Sequence, residues 1–193
     1  MLVIAVETRS GGTRWAGRRH DDDRPDASSG TSPAELFDAV FAALHDGEQV
    51  ALGCDCPLTA PLPQDQQSAG PDALTELAGP EAAKPGIAEL GQVLGELGNW
   101  RPWTTVSTSL ARWKANTSIL VFQAVAAGDS GEVTASAAVD SFFRQFRAAA
   151  GDGTESAGGA VVNLAAAAAR RAGLFVDPAE LARPPVSITV SQG

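Results

Sequence analysis

The chain has 193 residues, 44% of them hydrophobic and 19% charged, the size and balance of one packed domain. Asp and Glu number 23 against 14 Lys and Arg, a formal net charge of −9, so most of the surface repels a phosphate backbone and tight non-specific binding to long nucleic acid is excluded outside a local basic patch. No apolar run is long enough to span a membrane, and Leu2 to Val6 is too short for a secretion signal and lacks its basic flank, so a cytoplasmic protein with no membrane partner is expected.

The apolar run Leu2-Val3-Ile4-Ala5-Val6 ends in Glu7, is followed by the turn Thr8-Arg9-Ser10-Gly11-Gly12, and resumes at Thr13-Arg14-Trp15-Ala16-Gly17. This predicts a buried strand, a glycine turn and a returning strand, with an acid closing the first. Residues 21–32 read as a polar loop in which Asp21, Asp22 and Asp23 are a solvated charge run. Ser32-Pro33-Ala34-Glu35 opens a helix, with Ser at the N-cap, Pro at the first helical position and Glu closing a capping box; Leu36, Phe37, Val40, Phe41 and Leu44 follow at helical spacing and Gly47 ends it. Gln49 to Cys54 predicts a strand ending in Asp55, and Pro57 takes the chain out of the sheet. The proline-rich stretch from Leu58 to Pro85 is expected to be an excursion without regular structure, apart from a short turn at Ala73 to Leu77. A long loop leaving a strand end just after an acid suits a lid or a partner surface.

Ile87, Leu90, Val93, Leu94 and Leu97 mark a second helix, and Asn99 to Trp113 reads as an irregular segment carrying Trp100, Trp103 and Trp113. Ser118 to Ala126 is apolar on both faces, as a central strand covered by helices must be. A third helix carries Asp140 beside the stripe Val139, Phe142, Phe143 and Phe146, and Gly151 to Gly159 is a connector. Ala160 to Ala172 predicts a fourth helix, and Val186 to Val190 a short edge strand. Strands alternating with helices argue for an α/β domain.

The candidate chemistry rests on acids at strand ends. In open α/β sheets, ligands bind beyond the carboxyl ends of the strands. If their strands are neighbours, Glu7 and Asp55 meet at one sheet edge, where they could hold Mg²⁺ for phosphodiester hydrolysis. Asp140 is the candidate third acid and Asn163 a weaker one, because the strongest strand ends in Gln123, a poor Mg²⁺ ligand. The turn Ser10-Gly11-Gly12-Thr13 is a candidate cradle for a nucleotide or sugar phosphate, through exposed backbone N–H groups, although a plain hairpin is the simpler reading. Basic patches at Arg14 to His20 and Arg101 to Lys114 leave nucleic acid open as a partner, with a small phosphate ester favoured by the acidic balance. Cys54 and Cys56 form a C-x-C pair; on an extended strand both fall on one face, a disulfide between such close neighbours is expected to be strained, two thiols alone make no zinc site, and they read as buried reduced thiols.

Val3 to Thr13, Leu52-Gly53-Cys54-Asp55-Cys56-Pro57-Leu58 and Leu120-Val121-Phe122-Gln123-Ala124 together resemble the motifs of the DUF429-type nucleases, a family of ribonuclease H-like fold. The resemblance implies a single ribonuclease H-like domain over 1–193, a proline-rich insertion at 57–85, and a Mg²⁺-dependent nuclease-like site at Glu7 and Asp55 with Asp140 assisting. The chain departs from the family pattern at Glu7, Gln123 and Asn163, which keeps open a degenerate member acting as a binding or scaffold module through the 57–85 loop and the Trp segment.

Overall fold

The computed structural model describes residues 1–9, 12–20, 27–116, 118–127, 132–148 and 160–190. Ser10, Gly11, the triplet Asp21 to Asp23 and the stretch Gly151 to Gly159 lie outside the described residues.

The opening run forms β1 (Leu2–Arg9) and turns back as β2 (Gly12–Arg19). Part of the expected polar loop is instead a strand, β3 (Ala27–Gly30), antiparallel to β2. Ala27-Ser28-Ser29-Gly30 has no apolar alternation to announce it; it pairs because β2 offers an edge and the Trp15 indole lies against Gly30. α1 (Pro33–His45) starts where the capping box requires: Glu35 N donates to Ser32 Oγ at 3.2 Å and Ser32 N donates to Glu35 Oε2 at 3.3 Å. β4 (Val50–Cys54) is buried throughout.

The proline-rich excursion is more ordered than its composition suggests. It carries β5 (Thr59–Pro61), α2 (Pro71–Leu77) and two single 3₁₀ turns at Gln64–Gln66 and Pro80–Ala83. Pro63, Pro71 and Pro80 stand at or just before the first residue of three helical turns, where a missing N–H costs nothing. α3 (Ile87–Trp100) follows. The Trp-rich segment, expected to be irregular, holds β6 (Thr105–Ser107) and α4 (Leu110–Asn116). β7 (Ile119–Ala126) and α5 (Ala135–Ala148) fall where the apolar patterns set them. The expected fourth helix begins late: β8 (Val161–Asn163) pairs antiparallel with β5, and Asn163 then caps α6 (Leu164–Arg171). β9 (Phe175–Val176), a 3₁₀ turn at Pro178–Ala182 and β10 (Ser187–Val190) complete the described chain.

The main sheet is mixed and mostly parallel, in the order β3-β2-β1-β4-β7-β6-β9. β10 lies parallel to the second half of β7, and Gln145 of α5 covers the outward backbone of β10, with Nε2 donating to Thr189 O and Oε1 accepting from Thr189 N. Side chains alternate between two cores. Leu2, Ile4, Val6, Leu52 and Val121 pack with α1, α3 and α6, whereas Val3, Ala5, Ala51, Leu120 and Phe122 pack with α4 and α5. The alanines Ala165 to Ala169 of α6 are all buried, so α3 and α6 approach closely at Gly98, where an added Cβ would overlap the carbonyl of Ala172. Gly98→Ala is therefore expected to lower stability by about 1–3 kcal/mol through overpacking. Gly95→Ala in the same helix has open space around it and is expected to be neutral or stabilising. Urea midpoints of the two variants check this; equal midpoints would refute the close contact.

Candidate functional site

β1 and β4 are parallel neighbours with Val6 opposite Cys54, and Asp55 N donates to Val6 O at 3.1 Å. Glu7 and Asp55 are each the next residue, so their backbones stand side by side, about 5 Å apart, at the carboxyl ends of adjacent strands. Glu7 continues the alternation of Val3 and Ala5 toward α5. It is 5% exposed, and its Oε2 accepts from Ala135 N, the first residue of α5, at 2.7 Å. Thr134 Oγ1 accepts from Ala137 N at 3.2 Å in the same turn. The carboxylate thus sits where peptide dipoles of a 14-residue helix favour negative charge. Asp55 is half-buried in the bend after β4.

Asp140 does not join them. Its Oδ1 accepts from Arg18 Nη1 at 2.7 Å, and Arg18 stands opposite Val3, about 13 Å before Glu7 along β1. The pair ties α5 to β2, with Arg18 also lying 4.4 Å from the centre of the Phe143 ring. Among the described residues no three His, Cys, Asp or Glu side chains are grouped to hold a metal ion. Of the candidate phosphate turn, Ser10 and Gly11 lie outside the described residues; Gly12 pairs with Arg9, and Thr13 Oγ1 donates to Glu89 Oε1 at 3.3 Å.

The two other weak candidates have other bonds to make. Gln123 faces away from α5, and its Oε1 accepts from Leu58 N at 3.1 Å, fixing the start of the excursion. Asn163 is fully buried: Oδ1 accepts from Ala166 N, and Nδ2 donates to Thr108 Oγ1 and to Arg183 O, each at 2.9 Å. Three of the six Arg and Lys side chains in the two basic patches are held in ion pairs, Arg18 with Asp140, Arg19 with Glu48 and Arg112 with Asp177. Arg14 stands opposite Glu7 in the β1–β2 register and is exposed. The three indoles diverge and make no common stacking platform: Trp113 is buried, Trp100 packs on Phe41 at 4.0 Å between ring centres, and Trp103 is 86% exposed.

Three features escape sequence reasoning. The first is Glu180, 2% exposed in the 3₁₀ turn after β9. Its Oε1 accepts from Ser107 Oγ at 2.7 Å, and its Oε2 accepts from Thr108 N at 2.5 Å and Thr108 Oγ1 at 2.8 Å, with Arg112 Nε 3.8 Å from Oε1. With Asn163, this carboxylate joins β6, α6 and the segment before β10. The second is the C-x-C pair. Cys54 and Cys56 are not reduced thiols on one strand face but a disulfide: β4 ends at Cys54, the chain bends at Asp55, and the two Cα atoms lie 5.3 Å apart. The third is a cavity of about 330 Å³ between α4, α5 and β10, walled by Leu110, Phe142, Phe146 and Ile188, with Arg112 and Arg183 in its polar lining. It excludes Glu7 and Asp55. None of these carries a sequence motif; only the C-x-C spacing gave a local signal.

No helix among the described residues is long and apolar enough to cross a membrane. The chain matches no protein-family model, and no curated protein or solved structure is significantly similar to it.

Proposed function

We propose that the chain is a divalent-metal-dependent phosphodiester hydrolase on a ribonuclease H-like sheet, with Glu7 and Asp55 as metal ligands. The observation that carries this reading is the Val6–Cys54 register, which makes the two acids neighbours at the carboxyl edge of two central strands. The β3-β2-β1 meander continued by parallel β4 and β7 is compatible with that architecture.

The residues fit Mg²⁺, which takes hard oxygen ligands, is satisfied by one or two carboxylates, and completes its shell with waters and substrate phosphate oxygens. When bound, the ion would activate a water and offset charge on the leaving oxygen. Ala135 N holds the Glu7 carboxylate in one orientation, so its position is fixed before any ligand arrives. Asp55 supplies the second carboxylate, and exposed Arg14 offers a positive charge to an incoming phosphate. Asp140, bonded to Arg18, has no part in this scheme. The net charge of −9 favours a small phosphate ester over a long duplex.

Calorimetric titration with Mn²⁺ or Mg²⁺ tests the reading. Binding heat is expected, together with a rise in melting temperature, since a ligand at about 100 times its Kd adds about 2.7 kcal/mol of stability. No heat and no thermal shift at millimolar metal would refute it. A non-catalytic binding module is the second reading, favoured by the cavity between α4, α5 and β10, whose volume falls at the lower end of small-molecule sites.

A further inference from the structure

We propose that Cys54 and Cys56 form a reversible thiol–disulfide site, opened by a small dithiol reductant, that sets the backbone position of Asp55. The bridge encloses one residue, and that residue is Asp55. Cys54 is fully buried and held on both sides, opposite Val6 in β1 and Gln123 in β7. Cys56 sits in the bend and is 8% exposed. The two Cα atoms are 5.3 Å apart. An extended strand would separate them by about 6.6 Å, so the bridge and the bend at Asp55 go together.

The surroundings make the change local. Asp55 N is bonded to Val6 O upstream; downstream, Leu58 N is bonded to Gln123 Oε1 and Leu58 O to Leu164 N. The Asp55 amide and the chain from Leu58 onward are therefore held without the bridge, and what the bridge can set is the φ and ψ of Asp55 between them. Gly86, at φ +85°, packs its backbone over the bridge: a Cβ there would lie 2.7 Å from Cys56 Sγ and 3.1 Å from Cys54 Sγ. Only a residue without a side chain leaves the sulfurs this cover.

Reduction balances as two successive exchanges. One thiolate of the reductant attacks the sulfur of Cys56, the more exposed of the pair; the S–S bond breaks and Cys54 leaves as a thiolate that takes up a proton. The second thiol of the reductant attacks the mixed disulfide, closes its own disulfide and releases Cys56 as a thiol. Two electrons and two protons pass to the protein.

The test compares full-length protein equilibrated with glutathione disulfide and with dithiothreitol, both under native conditions, then quenched in acid and alkylated in denaturant. The oxidised form is expected to take up no N-ethylmaleimide and the reduced form to label both cysteines, with cooperative unfolding retained in both. The three-bond HN–Hα coupling of Asp55, which reads its φ directly, is expected to differ between the forms. Mn²⁺ affinity is expected to fall about 10- to 100-fold on reduction. Cys56→Ser should reproduce the reduced form and ignore dithiothreitol. Alkylation of both cysteines under both conditions, or a bridge that opens only in denaturant, overturns the site. An unchanged Asp55 coupling overturns the link to Asp55, as does equal Mn²⁺ affinity in the two forms. The metal arm alone rests on the function proposed above: if neither form binds Mn²⁺, that function fails, and the Asp55 coupling decides the present inference.

Discussion

Asp55→Asn is expected to abolish metal-dependent phosphodiester cleavage and to weaken Mn²⁺ binding by more than about 100-fold, the upper end of what loss of an outer-shell partner costs. The substitution keeps shape and hydrogen-bonding capacity but removes the negative charge, and Mg²⁺ and Mn²⁺ are hard cations that select for it. Asn is isosteric with Asp and still accepts hydrogen bonds, and the backbone bond from residue 55 N to Val6 O is untouched, so the fold is expected to survive. The melting temperature without metal should stay near that of the parent while the metal-induced rise disappears. Retained cleavage with unchanged metal affinity would clear Asp55 of any part in the chemistry. Glu7 also has a structural part, because its carboxylate receives the first N–H of α5.

The largest expected loss of stability comes from Glu180→Ala. The carboxylate is 2% exposed and accepts from Ser107 Oγ, Thr108 N and Thr108 Oγ1. Truncation strands Thr108 N outright and leaves two hydroxyls to find other partners. At about 1–3 kcal/mol for each buried group left unsatisfied, the expected cost is about 3–5 kcal/mol. For a chain of this length that lowers the melting temperature by about 6–20 °C. Glu180→Gln keeps one acceptor oxygen and should lose less than Glu180→Ala. Chemical denaturation with both variants checks the order; an alanine variant as stable as the parent would show that the network does not hold β6 to the segment before β10.

What could be read from residues alone follows from how local its cause is. The start of α1 is written in Ser32, Pro33 and Glu35, within four positions, and β7 is written in an unbroken apolar run. Both are stabilised by their own neighbours in sequence. β3, β6 and β9 are short and lack alternation; they exist because a longer strand beside each offers backbone groups to pair. The acids Glu7 and Asp55 could be singled out as strand ends, but their adjacency depends on which strands pair and in what register, a property of the whole sheet. Glu180 is the extreme case. Nothing near it in sequence marks it, since its partners are Ser107 and Thr108, and a charge is buried only where distant donors converge on it. The C-x-C pair misleads for the opposite reason: its spacing suggests a strand, and the strand stops at Cys54, two residues short of Cys56.

The order in which the sheet is completed has a consequence for biosynthesis. β7 is an interior strand of the sheet, yet the neighbour of its second half is β10, more than sixty positions later in the chain. On a ribosome, an apolar ribbon emerges with one flank bare and waits for its last companion while α5, β8, α6 and β9 are still being made. During that interval a bare flank invites pairing with another nascent copy. Yield in a fast-translating host should accordingly be governed by the delay before β10 arrives rather than by the resilience of the finished molecule.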